Sequence, residues 1–289
     1  MVALGAGALL AGCSDQTGDS TSPATPTARA SETIQPTRST SPSPTPTPAA
    51  LPAVTTWRPD PNDIAPLCKL TAVRRVEADG NGPRRALQVI DAQYGGLLTD
   101  TASVLVVTRS WARSGSHIMS DGHTFDVRLS RSAGGWRVTS VRPSRPGAPA
   151  ATLAAVARRV LASDRIVLPP AGTLDVRTGT THDSVLRAML TMSASFRIHV
   201  SVVRSGHPLH VFGTDRLSDH PQGRAFDTWA INGKPVVDAR TPRSLVEDYM
   251  HAAADAGSYN VGGPYLLGAA PQWFSDDTHH DHVHSGFAT

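Results

Sequence analysis

Nine of the twelve histidines of this 289-residue chain fall between His199 and His284, and four of them crowd into the six residues His279-His280-Asp281-His282-Val283-His284. Clustering of that kind is uncommon by chance, and it constrains how the second half of the chain folds. Upstream, residues 218–227 read Ser-Asp-His-Pro-Gln-Gly-Arg-Ala-Phe-Asp. Pro221-Gln222-Gly223 is a turn signal, so His220 can fold back towards Asp227 in the strand that follows. Alternation along that strand puts Ala225, Asp227 and Trp229 on one face and Arg224, Phe226 and Thr228 on the other. Small Ala225 leaves room beside the carboxylate. By the same rule His282 and His284 share a face and can look into one pocket.

Two neutral imidazoles and one carboxylate suit tetrahedral zinc, with a fourth position left open and a residual charge of +1. Such a metal brings the pKa of a bound water to about 7 and polarises a carbonyl, so amide hydrolysis is the expected chemistry.

The pattern Ser-x-His-x-x-Gly-x-Ala-x-Asp followed by His-x-His resembles the group of lysostaphin-type enzymes, D-Ala-D-Ala metallopeptidases and hedgehog signalling domains. The resemblance covers roughly residues 195–289. It implies zinc ligands at His220, Asp227 and His284, with His282 beside the metal assisting the transition state, and a peptidoglycan peptide as substrate. In the D-Ala-D-Ala branch a Glu three residues before the last His is the general base; here that position is Asp281, one methylene shorter. In a strand regular from Asp281 its carboxylate faces away from His282 and His284, and it serves only if the strand begins after it. His279, five before the last His, is similar to the penicillin-insensitive murein endopeptidase pattern and is a second candidate base. Arg204, at the end of a Val-rich strand, stands where the group commonly carries a substrate-side Arg, whose fork of donors suits a peptide carboxylate or an oxyanion. His207 and His210 are expected to be loop residues, and His280 and Asp276-Asp277 solvated ones.

The rest of the chain supplies the setting. Residues Val2 to Gly12 are small and apolar and end in Leu10-Ala11-Gly12-Cys13, which resembles a bacterial lipobox. That implies removal of the first twelve residues, lipidation of Cys13, and a mature protein tethered to the outer face of the cytoplasmic membrane, in the cell wall. No Lys or Arg follows Met1, so the true start is expected to lie upstream. Residues 14–56 are rich in Ser, Thr, Pro and Ala, with Ser41 to Pro48 the densest run, and read as a disordered, extended spacer. Cys68, the one cysteine left, allows no internal disulfide; between Leu67 and Leu70 it is expected to be buried and inert.

The folded remainder is expected to hold two domains, 57–142 and 151–289, joined by the proline-rich linker 143–149. The first is read as a helix from Pro83 to Tyr94, stopped by Gly95-Gly96, then strands over 103–111, 124–130 and 136–141. It weakly resembles the NTF2-like group, which implies a cone-shaped α+β domain with a pocket, and no chemistry is assigned to it. The second is read as helices over 152–162 and 181–196, strands over 198–203, 224–231, 235–237 and 282–287, and a helix capped by Thr241 that stops at Gly257. The fold class is thus α+β, with a hedgehog/DD-peptidase-like antiparallel sheet and helices in the second half. The net charge of +3 is a mild bias and the basic residues are scattered, with Lys only at Lys69 and Lys234, so nucleic acid is not an expected partner. A monomer is expected.

Overall fold

Residues 49–289 are described by the computed structural model, and the leader, the lipobox Cys13 and most of the spacer lie outside these described residues. Helix α1 (Pro66–Gly80) precedes a sheet of β1 (Arg85–Leu97), β2 (Thr101–Ser114), β3 (His117–Asp121), β4 (Thr124–Ser132) and β5 (Gly135–Pro143). The strands are antiparallel in the order β1-β2-β4-β5, with β3 folded back on β2.

The helix expected from Pro83 is instead strand β1. Ala86, Leu87, Val89 and Ile90 fit a helical spacing, but a short apolar run also fits a strand buried on both faces. Pairing with β2 from Arg85↔Ala112 to Leu97↔Ala102 decides between them. Gly95-Gly96 lies inside the strand, and a Cβ on Gly96 would fall 2.1 Å from the Phe212 Cβ. That glycine is there for close approach between the two halves of the chain. The helix of this half lies earlier, at α1, where Cys68, Ala72, Val73 and Val76 pack on Val104, Val106 and Val127 of the sheet. Cys68 is free and fully buried, and burial pushes its thiol up to about 12.

The second half comprises α2 (Ala155–Ala162), β6 (Ile166–Val167), α3 (Pro170–Arg177), α4 (Asp183–Ser193), β7 (Ile198–Val202), β8 (Ala225–Ile231), β9 (Lys234–Pro235), α5 (Arg243–Asp255), β10 (Asn260–Gly262), β11 (Trp273–Phe274) and β12 (Val283–Gly286). Its sheet runs β11-β10-β12-β8-β7-β6, with β9 on β8. Pairing is antiparallel except for β6 with β7 and β10 with β11. Asn232 (φ 53°) and Gly233 (φ 78°) form the tight turn that the dipeptide predicts. Thr241 does not cap α5: its hydroxyl donates to the Pro235 carbonyl (2.6 Å), and Pro242 occupies the cap position.

The two faces of the second sheet are put to different uses. On one, Val185, Met189, Val246 and Met250 from α4 and α5 pack against Ile198, Phe226, Ile231 and Val283, and the Tyr249 hydroxyl meets Thr228 Oγ1 at 2.7 Å. Each such buried side chain contributes about 1.5–3 kcal/mol. The opposite face of β8 carries Asp227. Beside it Val202 of β7 packs on Leu105, Val107 and Ile90 of the first sheet. Strand β2 is therefore covered on both faces, by α1 and by the second sheet, which explains its unbroken apolar run. The described residues belong to one compact α+β unit with antiparallel sheets. Among them no helix is long and apolar enough to cross a membrane.

Candidate metal centre

Strand register brings the first two groups together. Asp227 of β8 lies directly opposite His284 of β12, and on one face such cross-strand neighbours touch. His284 Nδ1 is 3.0 Å from Asp227 Oδ1. The turn after His220 supplies the third group: His220 Nε2 lies 3.0 Å from the same carboxylate oxygen and 3.1 Å from His284 Nδ1. Gly223 makes the turn possible, since it has φ +73° and a Cβ there would sit 2.2 Å from the Thr180 carbonyl oxygen.

Three donor atoms of two imidazoles and one carboxylate thus form a near-equilateral triangle. His220 Nδ1 donates to the Val203 carbonyl (2.8 Å), which aims Nε2 into the triangle and fixes its ring. Burial opposes charge on His220, but Asp227 outweighs it and raises the imidazole above its ordinary value. Burial likewise opposes the Asp227 carboxylate, yet His220 and His282 hold it well below the carboxylate range. His284 is lowered to about 4, by burial first and with His220 and His279 adding to it, and so is neutral at pH 7. These are groups that could hold a metal ion.

His207 lies in the loop after β7, as its sequence position suggested, and its ring still joins them. Its ring stacks on His220 at 4.3 Å and 18°, and a ligand atom of each of His207, His220 and Asp227 lies within 4.8 Å of the others. Burial holds His207 well below its ordinary value. His210 lies in the same loop, as expected, and is exposed.

The other predicted site residues divide. His282 lies just before β12; its Nδ1 donates to Asp281 Oδ1 at 2.6 Å, and its Nε2 is 3.8 Å from Asp227 Oδ2. His279 lines the same cavity with its ring 5.1 Å from that of His282, and Asp276 holds its Nδ1 at 2.7 Å. Asp276 is therefore a partner of His279 as well as a solvated loop residue. Strand β12 does begin after Asp281, but the carboxylate still does not face the cavity: its second oxygen lies 2.7 Å from Lys69 Nζ. Burial would raise Asp281, but Lys69 and His282 outweigh it and hold the group below the carboxylate range. Asp281 orients His282 from behind. Arg204 is also turned away. Its guanidinium binds the Pro146 carbonyl and lies 3.8 Å from Asp175 Oδ1, so it ties down the linker.

The first sheet closes the site, which sequence reasoning missed. Gln93 of β1 donates from Nε2 to Asp227 Oδ2 at 2.7 Å, and Ser201 Oγ donates to its Oε1. Lys69 of α1 bridges Asp63 and Asp281, and His280, expected in solvent, accepts from the Ile64 N–H at 3.0 Å. Tyr94, Gly96 and Leu98 line one wall of a cavity of about 810 Å³, with Phe212, Phe274 and Arg216 on the others. The available signals were Gln93 in one largely apolar run and Lys69 in another, and the partners that bring them to the site, Asp227 and Asp281, lie more than a hundred residues away.

No protein-family model matches the chain, and neither curated proteins nor solved structures give a match.

Proposed function

We propose that the chain is a zinc-dependent peptidase, of carboxypeptidase or endopeptidase type, acting on peptidoglycan peptides at the outer face of the cytoplasmic membrane, where a lipid on Cys13 tethers it. One observation carries the reading: two imidazole nitrogens and one carboxylate oxygen converge to within 3.1 Å of one another on the wall of a cavity of about 810 Å³. A mixed nitrogen and oxygen set of this kind suits zinc, whereas calcium and magnesium take oxygens. The volume falls in the range of about 300–1,000 Å³ typical of small-ligand sites, enough for a short peptide. The motif resemblance at residues 218–227 and 282–284 supports the substrate class and a hedgehog/DD-peptidase-like fold for residues 151–289. The helix packed on an antiparallel sheet in residues 57–142 is in keeping with an NTF2-like reading.

Zinc bound to His220, Asp227 and His284 would supply Lewis acidity towards a peptide carbonyl and towards water. The remaining tasks fall to the chain. His282, its Nδ1–H fixed on Asp281, turns Nε2 to the cavity, where it can donate to a developing oxyanion or exchange a proton with the leaving amine. His279, held by Asp276, is the second proton carrier at that wall. Gly96 and Leu98 on one side and Phe274 on the other shield the reacting bond from water.

A second reading has a specific observation in its favour. Asp281 is committed to Lys69 and His282 and leaves unfilled the place of the Glu-type base, as a non-catalytic zinc-containing lipoprotein that binds wall peptides would. Incubating the purified chain with muropeptides, with and without chelator and added zinc, and reading the products by mass spectrometry separates the two. Cleavage that depends on metal and disappears in His284→Ala is the expected result. Stoichiometric zinc with no product from any muropeptide refutes the peptidase in favour of binding, and no affinity for zinc refutes both.

A further inference from the structure

We infer that Gln93, in the half of the chain to which the sequence assigns no chemistry, is a positioning residue for the metal centre: it holds Asp227 as a one-oxygen ligand. The inference rests on the zinc reading above. Asp227 has two carboxylate oxygens with different surroundings. Oδ1 is the corner of the donor triangle, 3.0 Å from both His220 Nε2 and His284 Nδ1. Oδ2 is engaged by the Gln93 amide at 2.7 Å. A carboxylate free to rotate could offer both oxygens to a metal and fill the open position that a substrate needs. One whose second oxygen is held by a donor cannot do so without breaking that bond.

The amide is itself fixed. Gln93 is 1% exposed, Ser201 Oγ donates to its Oε1, and Ser201 is fully buried. A flipped amide would set its oxygen against the Asp227 carboxylate, two acceptors face to face, so only the observed orientation is stable. Gln93 sits in β1 opposite Leu105, which packs on Val202 of the second sheet, so the seam between the sheets sets the height at which the amide reaches Asp227. The first sheet thus supplies an outer-shell ligand partner to the second.

The experiment uses the full chain with Gln93→Met, which keeps length and bulk without the amide, Gln93→Glu, which places a carboxylate against Asp227, and Ser201→Ala, which leaves the amide but frees its far end. Zinc affinity is measured by competition with a chromogenic chelator, and cobalt(II) substituted for zinc reports coordination number through its visible absorption, which is strong for four ligands and weak for five or six. Removing an outer-shell partner typically weakens metal binding about 10- to 100-fold. The expected result is that loss in Gln93→Met, a larger one in Gln93→Glu, a smaller one in Ser201→Ala, and a weaker cobalt band in Gln93→Met. Near-UV circular dichroism shows whether each variant is folded, and Ser201→Ala carries the test if the Gln93 variants are not. Folded variants with wild-type zinc affinity and an unchanged cobalt spectrum overturn the inference and leave the zinc reading intact. A wild-type chain that binds no zinc overturns both, and one that binds zinc but cleaves nothing refutes the peptidase alone.

Discussion

Lys69 is buried to 1% exposure and lies against two carboxylates, Asp63 and Asp281, that are themselves sealed from water. Replacing it with Met keeps the bulk and removes the charge. Breaking a buried ion pair from one side costs about 3–5 kcal/mol, because the abandoned carboxylates remain desolvated. For a unit of this size each kcal/mol moves Tm by about 2–4 °C, so Lys69→Met should melt roughly 6–20 °C lower. The pH dependence gives the sharper test. Asp281 is held below its unfolded value of about 3.9, so its contribution is present above that pH and is lost as pH falls through the folded pKa. Lys69 is held above its unfolded value of about 10.4, so its contribution is present below that pH and is lost as pH rises through the folded pKa. The gap between wild type and variant is therefore full near pH 7 and narrows below about pH 4, as Asp281 takes up a proton. Urea unfolding followed by tryptophan fluorescence from about pH 2 to pH 8 measures it. Adding Asp281→Asn to Lys69→Met should recover part of the loss. A gap below about 1 kcal/mol at pH 7, or one that is constant across the series, refutes the reasoning.

Three other perturbations have definite outcomes. Gly223→Ala places a Cβ 2.2 Å from the Thr180 carbonyl oxygen at φ +73°, so it should cost about 2 kcal/mol or more and weaken metal binding by shifting His220, read by calorimetry and chelator competition. Asp91 Oδ2 is buried without a partner and burial pushes the group up to about 7; a raised carboxylate loses stability as pH climbs from about 4 through 7, so Asp91→Asn should raise Tm at pH 8 and barely change it at pH 4. Arg204→Ala releases Pro146 and should lower stability by about 1–2 kcal/mol while leaving zinc affinity unchanged, which equilibrium unfolding and metal titration check together.

The centre was more legible in the sequence than the sheet that covers it. His220, Asp227 and His284 could be placed together because a turn and two strands are local patterns with fixed periods. Strand β8, its hairpin with β9 and helices α4 and α5 followed from the same local signals. Strand β1 was read as a helix because both of its faces are buried, which erases the period-two signal, and α1 was overlooked, although Pro66 stands at its start, because its buried face is a short stripe of Cys68, Ala72, Val73 and Val76 that also holds Lys69. Gln93, Lys69 and His207 take their roles from partners distant in sequence, which no local pattern records. Asp281 shows the limit from the other side: the strand starts where its role as a base required, and the lysine that occupies its carboxylate lies 212 residues earlier.

Strand β12 lies between β8 and β10, and both precede it along the chain. Synthesis from the N-terminus therefore delivers the two neighbours before the strand that joins them, and each waits with an open edge prone to false pairing. His284 travels on that inserting strand. Closing the sheet and completing the triangle are one event, so a nascent chain whose sheet is still split holds only His220 and Asp227 of the three.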